Sequence, residues 1–230
     1  MPLQSVCVLL TPAAEPVPEH ATAVIVDVLR ATTTLTHALT NGATRVIPVA
    51  TIETAHAAHR EHPTALLCGE RDGRIIPGFD LGNSPAEYGR EIVSGRPLIF
   101  ASTNGSIGML NAGRAKHRVL GAFVNATAVE RRVAGERHVV IVCSGKLGRF
   151  SLEDAAFAGW LCRALAKRGA AVDGPAARFA MRTAPEDADG VRNVVEGASH
   201  GRYLIALGGE FRRDVARCCE IDAIDQAWDA

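Results

Sequence analysis

Neither sign of charge prevails in this sequence: 25 lysines and arginines stand against 25 aspartates and glutamates, for a net charge of +0. That removes the electrostatic case for a nucleic-acid or anionic-membrane partner, since both are held first by a surplus of cations. Long apolar runs are missing too, and none approaches the roughly 18 residues of a membrane span. The first residues, Met1-Pro2-Leu3-Gln4-Ser5, lack the basic and apolar regions of a secretory leader, so a cytoplasmic location is expected. The six cysteines (Cys7, Cys68, Cys143, Cys162, Cys218 and Cys219) form no Cys-x-x-Cys pair and read as reduced, mostly buried thiols. Gly-x-x-x-x-Gly-Lys-Ser/Thr and Gly-x-Gly-x-x-Gly are both absent, which leaves a P-loop or a Rossmann cofactor site unsupported.

What is present is apolar substance. Hydrophobic residues make up 47% of 230, enough for a sizeable core, and one domain over residues 1–230 is expected. Short β-branched runs at 5–10, 22–26, 45–49, 65–68, 97–101, 118–122 and 139–142 read as strands. Pro48 makes the third of them an edge or a bulge. Helical stretches follow Arg30, cover 52–62 and run through Met109-Leu110. The strongest spans 151–168, with Ser151 as N-cap, Asp154 at the capping-box position and Gly169 at its end. Residues 69–90 read as a long loop, 170–198 are weakly patterned, and helices return after Ser199 and over 211–219. Strands alternating with helices imply α/β architecture: a mixed or mostly parallel sheet with helices on both faces. Arg45-Val46 recurs at Arg118-Val119 and Thr54-Ala55 at Thr127-Ala128, with a common offset of 73 residues. The order of elements fits an internal duplication, with copies near 20–70 and 95–145.

Three strand-to-helix corners, at Arg30, Asn104 and Gly145, share small residues, hydroxyls and a nearby cation. The first reads Asp-Val-Leu-Arg-Ala-Thr-Thr-Thr over 27–34. Open α/β sheets bind ligands beyond the carboxyl ends of their strands, and exposed N–H groups at a helix start favour anions. Backbone donors, hydroxyls and a guanidinium are what a phosphate or sulfonate needs. Alternatively, Asp27 and Arg30 pair with each other while the threonines cap. Asp27, Glu70, Asp80, Glu153 and Asp154 add carboxylates, and several of these near an anion site suit Mg²⁺, which takes oxygen ligands and bridges to phosphate. His56, His59 and His62 spread around a helix and read as a solvated face. His200, at a loop-to-helix corner, is a candidate for acid–base work or a satisfied structural histidine. Asn83-Ser84-Pro85 reads as a turn and helix start. Cys143 to Arg149 has the Cys-x-x-x-x-x-Arg spacing of cysteine-dependent phosphatases, which leaves thiolate chemistry as an alternative.

Taken in order, Asp-Val-Leu-Arg-Ala-Thr-Thr at 27–33, Gly-Glu-Arg at 69–71, Gly-Phe-Asp-Leu-Gly-Asn-Ser-Pro at 78–85, Ser-Thr-Asn-Gly at 102–105, Cys-Ser-Gly-x-x-Gly-x-Phe-Ser-x-Glu-Asp at 143–154 and Ser-x-Gly at 199–201 resemble the 2-phosphosulfolactate phosphatase family. The resemblance spans nearly the whole chain. It implies a three-layer α/β/α fold and a Mg²⁺-dependent phosphatase that makes 3-sulfolactate and phosphate, a step in coenzyme M biosynthesis. Within these motifs Asp27, Glu70 and Asp154 are the expected metal ligands, and Asp27, Arg30, Asp154 and His200 the expected catalytic residues. Arg30, Thr32, Thr33, Asn83, Ser102, Thr103, Asn104, Gly105, Ser144 and Gly145 are expected to hold a small anionic phosphate ester. A non-catalytic anion-binding domain on the same scaffold remains an alternative. The sequence is compatible with a homo-oligomer.

Overall fold

The computed structural model describes residues 5–12, 16–172 and 174–230. Residues 1–4, read above for a leader, and 13–15 of the proline-containing segment lie outside the described residues. The chain runs β1 (Ser5–Leu9), β2 (Thr22–Val26), α1 (Ala31–Thr40), β3 (Val46–Pro48), α2 (Ile52–Glu61), β4 (Leu66–Arg71) and β5 (Arg74–Ile75). It continues with α3 (Arg90–Val93), β6 (Leu98–Ala101), α4 (Gly105–Asn111), β7 (His117–Gly121), α5 (Ala126–Val133) and β8 (His138–Cys143). The last third holds α6 (Leu152–Lys167), β9 (Ala171–Val172), α7 (Pro175–Thr183), α8 (Ala188–Gly197), α9 (Ser199–Leu207) and α10 (Gly209–Cys218).

The strands form two sheets. One is five-stranded in the order β7-β2-β8-β1-β9, and all its pairings are parallel. The other is four-stranded in the order β3-β6-β4-β5, with an antiparallel hairpin joining β4 to β5. Every residue of β2 is buried, as its unbroken apolar run requires of a strand covered on both faces. Val24 and Val26 face a core built with Val129, Phe157, Leu161, Ala177 and Val191, from α5 to α8. Ala23 and Ile25 face the opposite core, with Leu35 and Ala38 of α1 and Met109 of α4. Burying a side chain such as Ile25 contributes about 1.5–3 kcal/mol. Helices therefore cover both faces of the larger sheet, a three-layer α/β/α arrangement. The second core also takes in Leu66, Leu98 and Phe100, so α1 and α4 lie between the two sheets. Helix α2 closes the far side of the smaller sheet with Ala55 over Leu67 and Ile99.

Strand register positions the site. Val26 lies level with both Gly121 and Cys143, so Asp27 and Ser144 leave adjacent strands side by side. Gly69 lies level with Ala101, which does the same for Glu70 and Ser102. The two halves near 20–70 and 95–145 exchange strands. β2 joins β7 and β8 of the later half in one order, β7-β2-β8, while β6 joins β3 and β4 of the earlier half in the other, β3-β6-β4.

Two segments are more ordered than their sequence suggests. The expected loop at 69–90 contains the end of β4, the β5 hairpin and a 3-10 turn over Pro85–Glu87, and it ends where α3 begins. The weakly patterned stretch at 170–198 contains β9, α7 and α8. Pro48 does sit on an edge strand, and Ser84 does cap the turn at Pro85 in a capping box with Glu87.

Candidate active site

The carboxyl ends of β2, β8, β4 and β6 converge, so the three corners read from the sequence do meet, although the Asn104 corner comes from the second sheet. Gly105 shows how close the approach is. A Cβ there would stand 2.4 Å from the Ala31 Cβ and 2.8 Å from Asp27 Oδ2. The corners are tied by backbone-to-carboxylate bonds. Asp154 Oδ1 accepts from the Val28 N–H at 2.9 Å, and its Oδ2 from the Gly145 N–H at 3.0 Å. Asp154 is therefore no capping-box residue of α6, and Ser151 makes no side-chain cap bond. The carboxylate turns away from its own helix because two loop amides, from the β2 and β8 ends, offer it better-placed donors. Glu70 does the same across the smaller sheet, accepting from the Thr103 N–H and the Gly73 N–H, each at 2.8 Å. Asn104 Oδ1 accepts from the Leu147 N–H at 2.7 Å and fastens the 145–149 loop.

Beside these ties lies a cavity of about 200 Å³ lined by Glu70, Asp72, Gly73, Thr103, Asn104, Lys146, Leu147, His200 and Tyr203. Three open grooves are larger, one of about 490 Å³ at Trp160 and Arg163, one of about 520 Å³ at His20 and His138, and one of about 430 Å³ at Arg149, Phe150 and Ser199. The first two contain no residue of the sequence motifs, the third adjoins the cavity through Lys146 and Leu147, and size alone does not outweigh the convergence of strand ends.

The electrostatics are those of crowded acids. Burial, helped by the charges of Glu70 and Glu153 and opposed by the Ala31 amide and by Arg30, raises the Asp27 carboxyl to about 7. Burial and then Glu153 and Asp27 push Asp154 well above its usual range, and burial raises Glu153 as well. His200 goes the other way. Burial, then Lys146 and Arg30, lowers it to about 3, so its ring is neutral at neutral pH. It stands 3.8 Å from Glu153 Oε1 through Nδ1. Among the described residues, no three His, Cys, Asp or Glu side chains form a ready metal cluster.

The expected binding residues divide into two sets. Thr103 lines the cavity, and its buried Oγ1 has no hydrogen-bond partner; the buried Ser144 Oγ also lacks one. Asn104, Gly105 and Gly145 are at the convergence. Gly145 adopts φ 63°, where a Cβ would meet the Arg149 carbonyl oxygen at 2.2 Å, so this corner requires glycine. Thr32, Thr33 and Ser102 spend their hydroxyls locally. Thr32 donates to the Gly121 and Asp27 carbonyls, Thr33 to the Val28 carbonyl, and Ser102 accepts from the Ser106 N–H. Arg30 pairs with Asp214 rather than Asp27, donates to the Gly73 carbonyl and lies over the Phe211 ring. With Asn83, whose Oδ1 has no partner, it lines a neighbouring cavity of about 130 Å³. Asp80 accepts from the Leu67 N–H and is absorbed by the β4 edge. Cys143 is fully buried, and burial, then Asp154, pushes its thiol well above the usual range. Such a thiol stays protonated, which removes the physical basis for a Cys143 nucleophile.

Sequence reasoning did not assign Lys146, Tyr203 or Asp214. Lys146 sits inside the loop motif, and Tyr203 lies three residues beyond His200 on α9. Asp214, on α10, had no local signal at all.

Comparison with known proteins agrees with the geometry. A family profile described as 2-phosphosulpholactate phosphatase matches residues 10–227. A probable 2-phosphosulfolactate phosphatase of Thermotoga petrophila is 41% identical over 204 residues, covering 89% of this chain and 86% of the relative. One of Clostridium acetobutylicum is 34% identical over 208 residues, covering 90% and 88%. One of Deinococcus radiodurans is 41% identical over 192 residues, covering 81% and 78%. A match of this extent, on a chain whose motifs meet at one site, places it: the protein belongs to the 2-phosphosulpholactate phosphatase family.

Proposed function

We propose that this chain is a Mg²⁺-dependent phosphatase that hydrolyses 2-phosphosulfolactate, or a closely similar small phosphorylated acid, to 3-sulfolactate and phosphate, as in coenzyme M biosynthesis. Its setting in this reading is the cytoplasm. One observation carries the proposal: two sheets bring Asp27, Glu70, Glu153 and Asp154, all buried, to the same strand ends beside a cavity lined by a hydroxyl, amides and a lysine. Acids packed this closely destabilise one another unless protons or a cation offset their charge.

The donor set fits Mg²⁺. It is made of oxygens, and Mg²⁺ keeps several waters while taking one or two carboxylates plus substrate phosphate, so it needs no closed cage of side chains. Asp27, Glu70 and Asp154 are the residues that would hold it, the latter two with one lone pair of each oxygen already given to a backbone amide. When bound, the ion supplies charge neutralisation and polarisation at the phosphoryl group. The chain's own residues do the rest. Thr103 Oγ1, buried and unpartnered, offers a hydrogen bond to a phosphoryl oxygen. His200, held neutral, has a ring nitrogen free of a proton that can accept a hydrogen bond and orient a water, but it is not a charged acid at neutral pH. Asp154 positions the Val28 and Gly145 amides and so keeps two corners in register.

The test is phosphate release from 2-phosphosulfolactate by the purified protein, with Mg²⁺, with EDTA, and after Mg²⁺ is restored. Release that stops in EDTA and returns with Mg²⁺ supports the proposal. No release in Mg²⁺, or undiminished release in EDTA, rejects it.

A further inference from the structure

The cavity is poor in positive charge for a substrate that is rich in negative charge. Its lining includes Glu70 and Asp72. The Arg30 guanidinium is turned to Asp214 and the Gly73 carbonyl, and the His200 ring is neutral. Among the described residues that line the cavity, Lys146 is the remaining cation. No carboxylate among the described residues forms an ion pair with it, in contrast to Arg30.

The placement of Lys146 is fixed from several sides. Its N–H donates to the Arg149 carbonyl at 2.9 Å, and its carbonyl accepts from the Arg149 N–H at 3.0 Å. The residues on either side are anchored too, Gly145 on Asp154 and Leu147 on Asn104. The Lys146 ammonium lies 4.5 Å from the centroid of the Tyr203 ring, whose hydroxyl donates to the Asp72 carbonyl at 3.2 Å. A cation held against an aromatic face keeps its N–H donors available for a second partner.

2-Phosphosulfolactate carries its phosphate and carboxylate on one carbon and its sulfonate one carbon further out. The carboxylate cluster and the Thr103 corner answer the phosphate end. We infer that Lys146 is the specificity-determining residue for the outer anionic group: its ammonium binds the sulfonate while the Tyr203 ring walls the carbon chain. A sulfonate presents three oxygens around a tetrahedral centre. It suits a compact ammonium as well as the planar fork of arginine, which matches carboxylates best. The inference rests on the phosphatase reading and names the part of the substrate that this chain selects.

The experiment compares 2-phosphosulfolactate with 2-phospholactate, which has a methyl group where the former has the sulfonate-bearing carbon. Rates are measured on wild type, Lys146→Gln and Lys146→Arg, with melting temperature as the folding control. Removing a charge-assisted hydrogen bond lowers kcat/KM by about 10- to 100-fold. Lys146→Gln is expected to lose that factor on the sulfonated ester beyond its loss on 2-phospholactate, mainly in KM, and Lys146→Arg to recover part of it. Equal losses on both esters, or none on either, overturn the role of Lys146 while leaving the phosphatase reading intact. Wild type that hydrolyses neither ester overturns the phosphatase reading and the inference with it. Calorimetric binding of 3-sulfolactate against lactate gives an independent readout, and a wild-type preference for 3-sulfolactate that survives in Lys146→Gln overturns the inference.

Discussion

Arg30 and Asp214 lie 184 residues apart in the chain and form a buried ion pair, Nη1 to Oδ2 at 2.5 Å, with both side chains 3% exposed. The second Asp214 oxygen accepts from Ser84 Oγ at 2.6 Å, and Arg30 Nη2 donates to the Gly73 carbonyl at 2.6 Å. One pair thus joins the start of α1, the β4–β5 hairpin, the Asn83 loop and α10. Asp214→Ala would leave a guanidinium buried without its counter-charge, and losing one partner of such a pair costs about 3–5 kcal/mol. Urea unfolding should show that loss, with a smaller one for Asp214→Asn, which keeps an acceptor. Arg30→Ala should be destabilised similarly. An unchanged KM for the phosphate ester in its folded fraction would take Arg30 out of substrate binding and leave it a structural role.

Asp27 gives a prediction with a definite sign. Its folded carboxyl is raised from 3.8 to about 7, so the folded state holds a proton that the unfolded chain has released. Stability of the metal-free protein should therefore fall as pH rises from about 4 to about 7, then level off in this contribution. Asp27→Asn keeps the acceptor for the Ala31 N–H and removes the charge. It should flatten that fall, abolish the rise in melting temperature caused by Mg²⁺, and lower turnover about 100-fold or more. A variant that still gains stability from Mg²⁺ and turns over at the wild-type rate would exclude Asp27 from the site.

How much of this was legible depended on the range of the forces involved. β2 and β8 announce themselves through nearly unbroken apolar runs, because strands covered on both faces admit little else. The corners were legible for the same reason, since loops that approach a ligand need glycine and small hydroxyls. The β4–β5 hairpin was legible in principle: Asp72 and Gly73 take φ 53° and 79°, as a two-residue turn of this composition does. The polar Glu70 and Arg71 hid it by breaking the strand pattern. α8 carries Gly190 and Gly197, which weaken any helical pattern, and it is set by Asp187 capping Gly190 and by packing on α6. The division into two sheets and the Arg30–Asp214 pair rest on contacts remote in sequence, to which no local pattern refers.

Cys143 should prove dispensable for chemistry. It ends β8 with its thiol enclosed and protonated, facing the core rather than the cavity. Cys143→Ala is expected to retain turnover within about 3-fold, since it removes packing but no reacting atom, at a stability loss of about 1–2 kcal/mol. Alkylating reagents should not inhibit the folded wild type. A trapped phosphocysteine, or complete inactivity of a folded Cys143→Ala protein, would restore the thiolate mechanism.

His37 governs the response to mild acid in the opposite direction to Asp27. It lies in α1 with its Nε2 buried and without a hydrogen-bond partner. Burial, and then the charge of Arg217, lowers its pKa from 6.5 to about 4. Below pH 6.5 the unfolded chain takes up a proton on this ring while the folded chain does not, so the unfolded state binds more protons. The contribution of His37 to stability is therefore complete above pH 6.5, shrinks as pH falls toward 4, and does not change further below that. His37→Gln stays neutral throughout. The melting temperature at pH 7 minus that at pH 4.5 should accordingly be shifted in the negative direction in His37→Gln relative to wild type, whatever the absolute stability of the variant. Identical differences in the two proteins would show that the ring titrates alike in folded and unfolded chains, and the acid response would then belong to other groups.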